Sequence, residues 1–169
     1  MPAHVKAGQK IGNDARPLTS VLQEGERNPG AEIVFARLDK GFTEVAEDEG
    51  ALVSFGESDT GVRAAGLHTC AAVCFVNLDH ADGEPVGYVY HANAGSVSHA
   101  KFGEIMTAIG GRRRYKDVYV AYAHRGNSDG GYDSTVANLR GWLNEGKLVQ
   151  ITNLFLNEFA MNGRFDIGY

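Results

Sequence analysis

The chain has only two cysteines and one tryptophan in 169 residues, no long apolar run, and no excess of positive charge. Two cysteines four positions apart, Cys70 and Cys74, do not make a disulfide framework. On one extended strand they point the same way yet lie too far apart to bridge. Free thiols are therefore predicted, with action in a reducing, cytoplasmic compartment. No stretch approaches the ~20 apolar residues of a membrane span, and the N-terminus lacks the apolar core of a classical signal peptide. A net charge of -5 argues against a general nucleic-acid or membrane binder. The one basic run, Arg112-Arg113-Arg114-Tyr115-Lys116, reads as a solvated turn. There is no internal repeat and no low-complexity tract.

What is abundant is glycine, 22 residues, roughly twice the usual ~7%, which predicts many turns. Residues 1–30 are polar and carry three of the four prolines. They read as a flexible or wrapping segment with one short periodic piece, Leu18, Val21 and Leu22. Residues 31–169 suit a single domain. Strands are predicted over 32–38, 51–56, 62–66, 71–76, 87–90, 117–123 and 149–155, with a closing hairpin at Asn162-Gly163. A helix capped by Ser96 or Ser98 presents Phe102, Ile105, Met106 and Ile109 and ends at Gly110-Gly111. A second, capped by Asp133 or Ser134, presents Val136, Leu139 and Leu143 and stops near Gly146. About eight strands and two helices, without regular β-α-β alternation, predict an α+β fold. The architecture is an α/β sandwich: a mixed, mostly antiparallel sheet or β-sandwich with two packed helices.

The chemistry concentrates between Gly66 and Gly95. Two strands joined by the polar stretch Asp79–Pro85 form a hairpin, with Cys70 at the start of the first and His91 near the end of the second. An antiparallel pair brings them together, and a thiol beside an imidazole is the minimum for nucleophilic cysteine chemistry. The bland alternative is a small buried hydrophobe for each cysteine. Cys74, inside an apolar run, fits that description. Cys70 fits it less well, because it follows the polar break His68-Thr69, where backbone N–H groups are free to hold an oxyanion. His80 reads as a solvated turn residue, and His68 as the alternative base. A metal set drawn from His68, Cys70, Cys74, His80 and His91 lacks any paired Cys-x-x-Cys spacing, so no metal and no cofactor are predicted.

The segment Gly66-Leu67-His68-Thr69-Cys70-Ala71-Ala72-Val73-Cys74 resembles the "LGSCVAVCL" segment of the CheD-type chemoreceptor glutamine deamidases. Toxin deamidases of the cytotoxic-necrotizing-factor type share it in the shorter form L-x-G-C. In both, a histidine on the following strand completes the site, and His91 is the matching position. Residues 133–144 resemble the late CheD helix "ERNVxxxRxFL", and 162–167 its closing "GRxVRFD" strand. The likeness runs in order over roughly residues 60–169, and only the cysteine segment is specific. The family's glycine-serine before the cysteine is His68-Thr69 here, its "H-x-x-L-P" is His91-Ala-Asn-Ala-Gly, and its upstream threonine falls on Ala64. A third or oxyanion group is therefore left among Thr69, Ser54, Asn93 or a backbone carbonyl. The resemblance implies a cysteine-histidine hydrolase that deamidates a glutamine on a target protein. The departures favour a toxin or effector, a monomer delivered into a target cell, over a chemotaxis enzyme. A non-enzymatic binding module on the same fold, a cysteine protease and a transglutaminase are the alternatives. A folded substrate requires Cys70 to stand at an open cleft.

Overall fold

The computed structural model describes residues 3–4, 16–27, 42–56, 60–78, 84–110, 115–126 and 131–168. The strand predicted at 32–38, His80 and the core of the basic run lie outside them. The described residues form two mixed sheets, with two helices on one outer face and a third packed into the inner core.

The centre is β6 (Ala71–Asn77), every residue of which is buried. It pairs antiparallel with β7 (Val86–Ala92) on one side and β8 (Val118–His124) on the other. Because side chains alternate across a strand, Ala72, Cys74 and Val76 enter one core, and Ala71, Val73 and Phe75 enter another. Apolar residues on both faces explain why this stretch reads as a nearly unbroken hydrophobic run. The sheet is completed by β4 (Gly50–Ser54) beside β7, and by β9 (Lys147–Thr152) and β1 (Ala3–His4) beyond β8.

The outer core is closed by α2 (His99–Ala108) and α3 (Tyr132–Leu143). Ser98 caps α2 by accepting from the Lys101 N–H at 3.0 Å, which satisfies one of the orphan donors of the first turn. Phe102, Ile105, Met106 and Ile109 are buried, and Phe102 meets Trp142 of α3 at 5.4 Å. The cap predicted at Asp133 or Ser134 belongs instead to Gly131. Ser134 lies inside the first turn and donates its hydroxyl to the Gly131 carbonyl at 3.0 Å. The helix ends at Leu143, before Gly146, where Asn144 takes a left-handed φ of 53°.

The second sheet has the order β2 (Arg16–Pro17), β11 (Asp166–Gly168), β10 (Glu158–Asn162), β5 (Gly61–Ala65), β3 (Phe42–Val45). In this sheet β5 alternates cleanly. On β5, Val62 and Ala64 face inward, while Arg63 bridges Glu44 and Glu158 at 3.6 and 3.5 Å. The Asn162-Gly163 hairpin joins β10 to β11 through three residues, with Phe165 rather than Gly163 at positive φ. The periodic Leu18, Val21 and Leu22 lie on α1 (Leu18–Arg27) and are buried in the inner core. This second sheet covers β6 and β7, while α1 covers β8 and β9.

The fold is α+β, an α/β sandwich. Among the described residues there are eleven strands, two of them only two residues long, and three α-helices, against the eight and two predicted. One β-α-β unit was not foreseen: β8 and β9 pair in parallel, and α3 is the crossover that a parallel pair requires. No described helix is long and apolar enough to cross a membrane.

Candidate functional site

The site forms where the chain passes between sheets. β5 ends at Ala65, and Gly66 turns with a left-handed φ of 71°, a conformation glycine adopts without penalty. Leu67 is fully buried, and its N–H donates to the Asn157 carbonyl at 3.1 Å. That anchor sets the entry of Cys70, one residue before β6. His91 lies opposite Ala72. Directly opposed residues in an antiparallel pair share a face, and so do residues two apart. Cys70 and His91 therefore both face the inner core, on a diagonal that the side chains span.

A second crossing runs from β3 to β4 through 46–49. Asp48, at φ 62°, donates its N–H to the His91 carbonyl at 2.8 Å, and the His91 N–H donates to the Glu49 carbonyl at 2.9 Å. The Val45 carbonyl lies 3.0 Å from His91 Nδ1. A carbonyl can only accept, so Nδ1 carries a proton in this hydrogen bond, and the tautomer that this selects leaves Nε2 as the accepting nitrogen. Nε2 is buried without a hydrogen-bond partner. The same turn brings Glu47 to Cys70, with Oε1 3.9 Å from Sγ. Cys70 Sγ, a Glu47 carboxylate oxygen and a His91 ring nitrogen all lie within 4.8 Å of one another.

The third approach is from the 3-10 turn Asn93–Gly95 after β7. Its Ala94 sits at φ 53°, ψ 21°, and its N–H hydrogen-bonds the Cys70 sulfur. Ala94 is held there from behind. Tyr122 donates its hydroxyl to the Gly95 carbonyl, and a Cβ on Gly95 would meet the Tyr132 ring at 2.5 Å. Burial is the largest influence on the Cys70 thiol and pushes its pKa up. The Ala94 N–H opposes this, the Glu47 charge and hydrogen bond reinforce it, and Thr69 opposes it more weakly. The resting sulfur is a protonated thiol sharing its hydrogen with Glu47. Cys74 is raised by burial alone.

The residues singled out in the sequence divide as follows. Cys70 and His91 come together, and the group that orients His91 is a backbone carbonyl, that of Val45. Thr69 flanks the sulfur and is exposed. Asn93 opens the 3-10 turn, with an exposed side chain. Ser54 pairs with Val86, five residues along β7 from His91, or roughly 17 Å at ~3.4 Å per residue. It lines an open cavity of about 430 Å³ with Thr43, Leu52, Thr60 and Gly163. His68 is exposed and outside the cluster. Glu47 was missed: the stretch 44–50 reads only as an acidic linker, and its sole signal is carboxylates on a connection between strands. The open cleft is also corrected. Cys70 is 2% exposed and His91 4%, because the 46–49 turn and the 3-10 turn close over them.

No protein-family model matches the chain, and comparison with curated proteins gives no match.

Proposed function

We propose that this chain is a cysteine-dependent protein-glutamine deamidase of the toxin or effector kind, with Cys70 as nucleophile and His91 as general base. The observation that carries the reading is His91 Nε2: buried, unpartnered, and made the accepting nitrogen by the Val45 carbonyl on Nδ1. A buried acceptor without a donor is costly and rare in native structures. It makes sense beside a thiol whose proton it is there to take.

In the proposed reaction Nε2 removes the Cys70 proton as Sγ attacks the γ-carboxamide carbon. Charge develops on the carboxamide oxygen, and the Ala94 N–H is a preorganised donor beside that carbon's new bond to sulfur. The imidazolium returns its proton to the departing ammonia, leaving a thioester. Water, deprotonated by Nε2, attacks the thioester and releases glutamate and the thiol. Glu47 is exposed on its turn, and displacement of that turn is the movement the reaction requires to open the sulfur to substrate. The raised thiol pKa suits proton transfer in concert with attack rather than a standing thiolate.

A non-enzymatic binding module is the second reading, favoured by the near-complete burial of Cys70. The test treats cell-lysate proteins with wild-type protein and with Cys70→Ser, then compares peptides by mass spectrometry. Cys70-dependent conversion of glutamine to glutamate, a gain of about one mass unit and one negative charge per site, is the expected result. New peptide termini would make the protein a protease, and glutamine–amine adducts a transglutaminase. No Cys70-dependent change in any peptide would favour the binding module.

A further inference from the structure

The residues that gather around Cys70 have a second chemical meaning, independent of whether the chain is a deamidase. A thiol, an imidazole nitrogen and a carboxylate, drawn from three separate segments, lie within 4.8 Å of one another. Zinc binds thiolate sulfur at ~2.3 Å, imidazole nitrogen at ~2.0–2.1 Å and carboxylate oxygen at ~2.0–2.2 Å. In a tetrahedral shell those lengths put neighbouring donor atoms about 3.3–3.7 Å apart. The Sγ to Oε1 separation, 3.9 Å, is already close to that. The remaining contraction is within reach of Glu47, whose side chain is exposed on a turn.

His91 is the independent sign of a ligand. It is 4% exposed, and Nε2 is the one of its ring nitrogens without a partner. Its other nitrogen is bonded to the Val45 carbonyl. That is the outer-shell arrangement by which metal-bound histidines fix their tautomer and ring orientation. The donor set selects the metal. Thiolate and imidazole suit zinc, whereas magnesium and calcium prefer sites made wholly of oxygen. The set is not the one considered from the sequence, since Cys74 stays in the core and Glu47 joins.

We propose that Glu47, Cys70 and His91 bind one Zn²⁺ per chain, and that the bound ion takes Cys70 out of nucleophilic use. Binding forms the Zn–S, Zn–N and Zn–O bonds and breaks only the S–H bond. The thiol proton passes to solvent, and no electron is transferred. Three protein ligands leave one coordination position open. Because sulfur must lose its proton, affinity rises with pH over the range in which the free protein keeps its thiol protonated.

The experiment uses the full chain, freed of metal with a chelator, and titrated with zinc chloride against a competing indicator. Wild type should bind one zinc that protects Cys70 from iodoacetamide, and EDTA should restore alkylation. Cobalt(II) should give a thiolate-to-cobalt charge-transfer band. Losing an outer-shell partner costs a metal site 10–100-fold. Cys70→Ala and His91→Gln, which remove ligands, should therefore weaken zinc binding by at least ~100-fold. Glu47→Gln should weaken it less, and Cys74→Ala should leave it unchanged. Thermal melts establish that each variant is folded, and the protection assay on wild type needs no variant. Alkylation of Cys70 undiminished by zinc would overturn the inference, as would zinc affinity that survives Cys70→Ala. The deamidase reading is tested separately in EDTA. Glutamine conversion there without zinc binding would sink only the metal site. Zinc binding without glutamine conversion in EDTA would sink only the deamidase.

Discussion

Cys70 and Cys74 sit on the same face of the same stretch of chain, four residues apart, and both are buried. Their surroundings differ completely. Cys74 lies mid-strand between Val73 and Phe75, inside two fully paired neighbours, with Val89 and Ala121 opposite. Nothing but burial acts on its thiol. Cys70 lies one residue before the strand, where the ladder ends and three connections converge: 66–69, 46–49 and the 3-10 turn. Each delivers something that a paired strand interior cannot. The first supplies the Thr69 hydroxyl. The second supplies the Glu47 carboxylate, and it leaves β3 at Val45, whose carbonyl orients His91. The third supplies the Ala94 N–H that donates to the sulfur. Burial alone does not set the surroundings of a thiol, and its place at the end of the strand does.

The sharpest way to break this comparison is to swap the thiols one at a time. Cys70→Ser should abolish the glutamine conversion proposed above while leaving the melting temperature close to wild type. Cys74→Ala should keep the conversion. Within the site, His91→Ala should cost ~10²–10⁴ in rate, the range of a general base, whereas exposed His68→Ala should cost little. A larger loss from His68→Ala than from His91→Ala would reverse the assignment of the base. A smaller effect concerns Glu47. Its charge and its hydrogen bond both hold the Cys70 thiol protonated. Glu47→Gln should therefore lower the pH midpoint of Cys70 alkylation, measured in EDTA, and speed alkylation at every pH below it. An unchanged or raised midpoint would show that Glu47 does not act on the sulfur.

The same contrast explains what the sequence made legible. Periodicity and turn chemistry are local, and they located the β6–β7 hairpin, the Ser98 cap, the buried face of α2 and the Asn162-Gly163 hairpin. The hairpin alone was enough to bring Cys70 near His91, since its register follows from alternation. Glu47 is 23 residues from Cys70, and their meeting depends on how two sheets stack, which no local pattern records. The Val45 carbonyl is invisible for a simpler reason: every residue has one. Ala94 carries no residue signal either, because a left-handed alanine is imposed by Gly95 and by the tyrosines packed against it. The Gly131 cap was missed because Asp133 and Ser134 are better intrinsic caps, and tertiary packing of Tyr132 extends the helix past them. Tyr132, stacked on His124 at 4.1 Å and 4% exposed, is where that extension is anchored.

The smallest effect tests Cys74 as a core residue and carries its own sign. At neutral pH, Cys74→Ala removes one buried sulfur and should cost ~1 kcal/mol, the low end of large-to-small core changes. Burial raises the folded-state thiol pKa above the unfolded ~8.5. A group raised on folding contributes stability that is fully present below the unfolded pKa and is lost as pH rises toward the folded one. Above pH ~8.5 the wild type should therefore lose about 1.4 kcal/mol per pH unit through this thiol, a loss absent from Cys74→Ala, while the raised Cys70 thiol adds its own loss equally in both proteins. Tyr90, pushed up to about 12 by burial and by Asp48, adds the same kind of loss above its unfolded ~10, equally in both proteins. The two stability curves should then cross within about one pH unit above 8.5, with the alanine variant more stable beyond the crossing. Urea unfolding at pH 7, 8.5 and 10 measures this directly. Parallel curves across that range would mean that the Cys74 thiol ionises as readily folded as unfolded, which a sulfur closed into the sandwich cannot do.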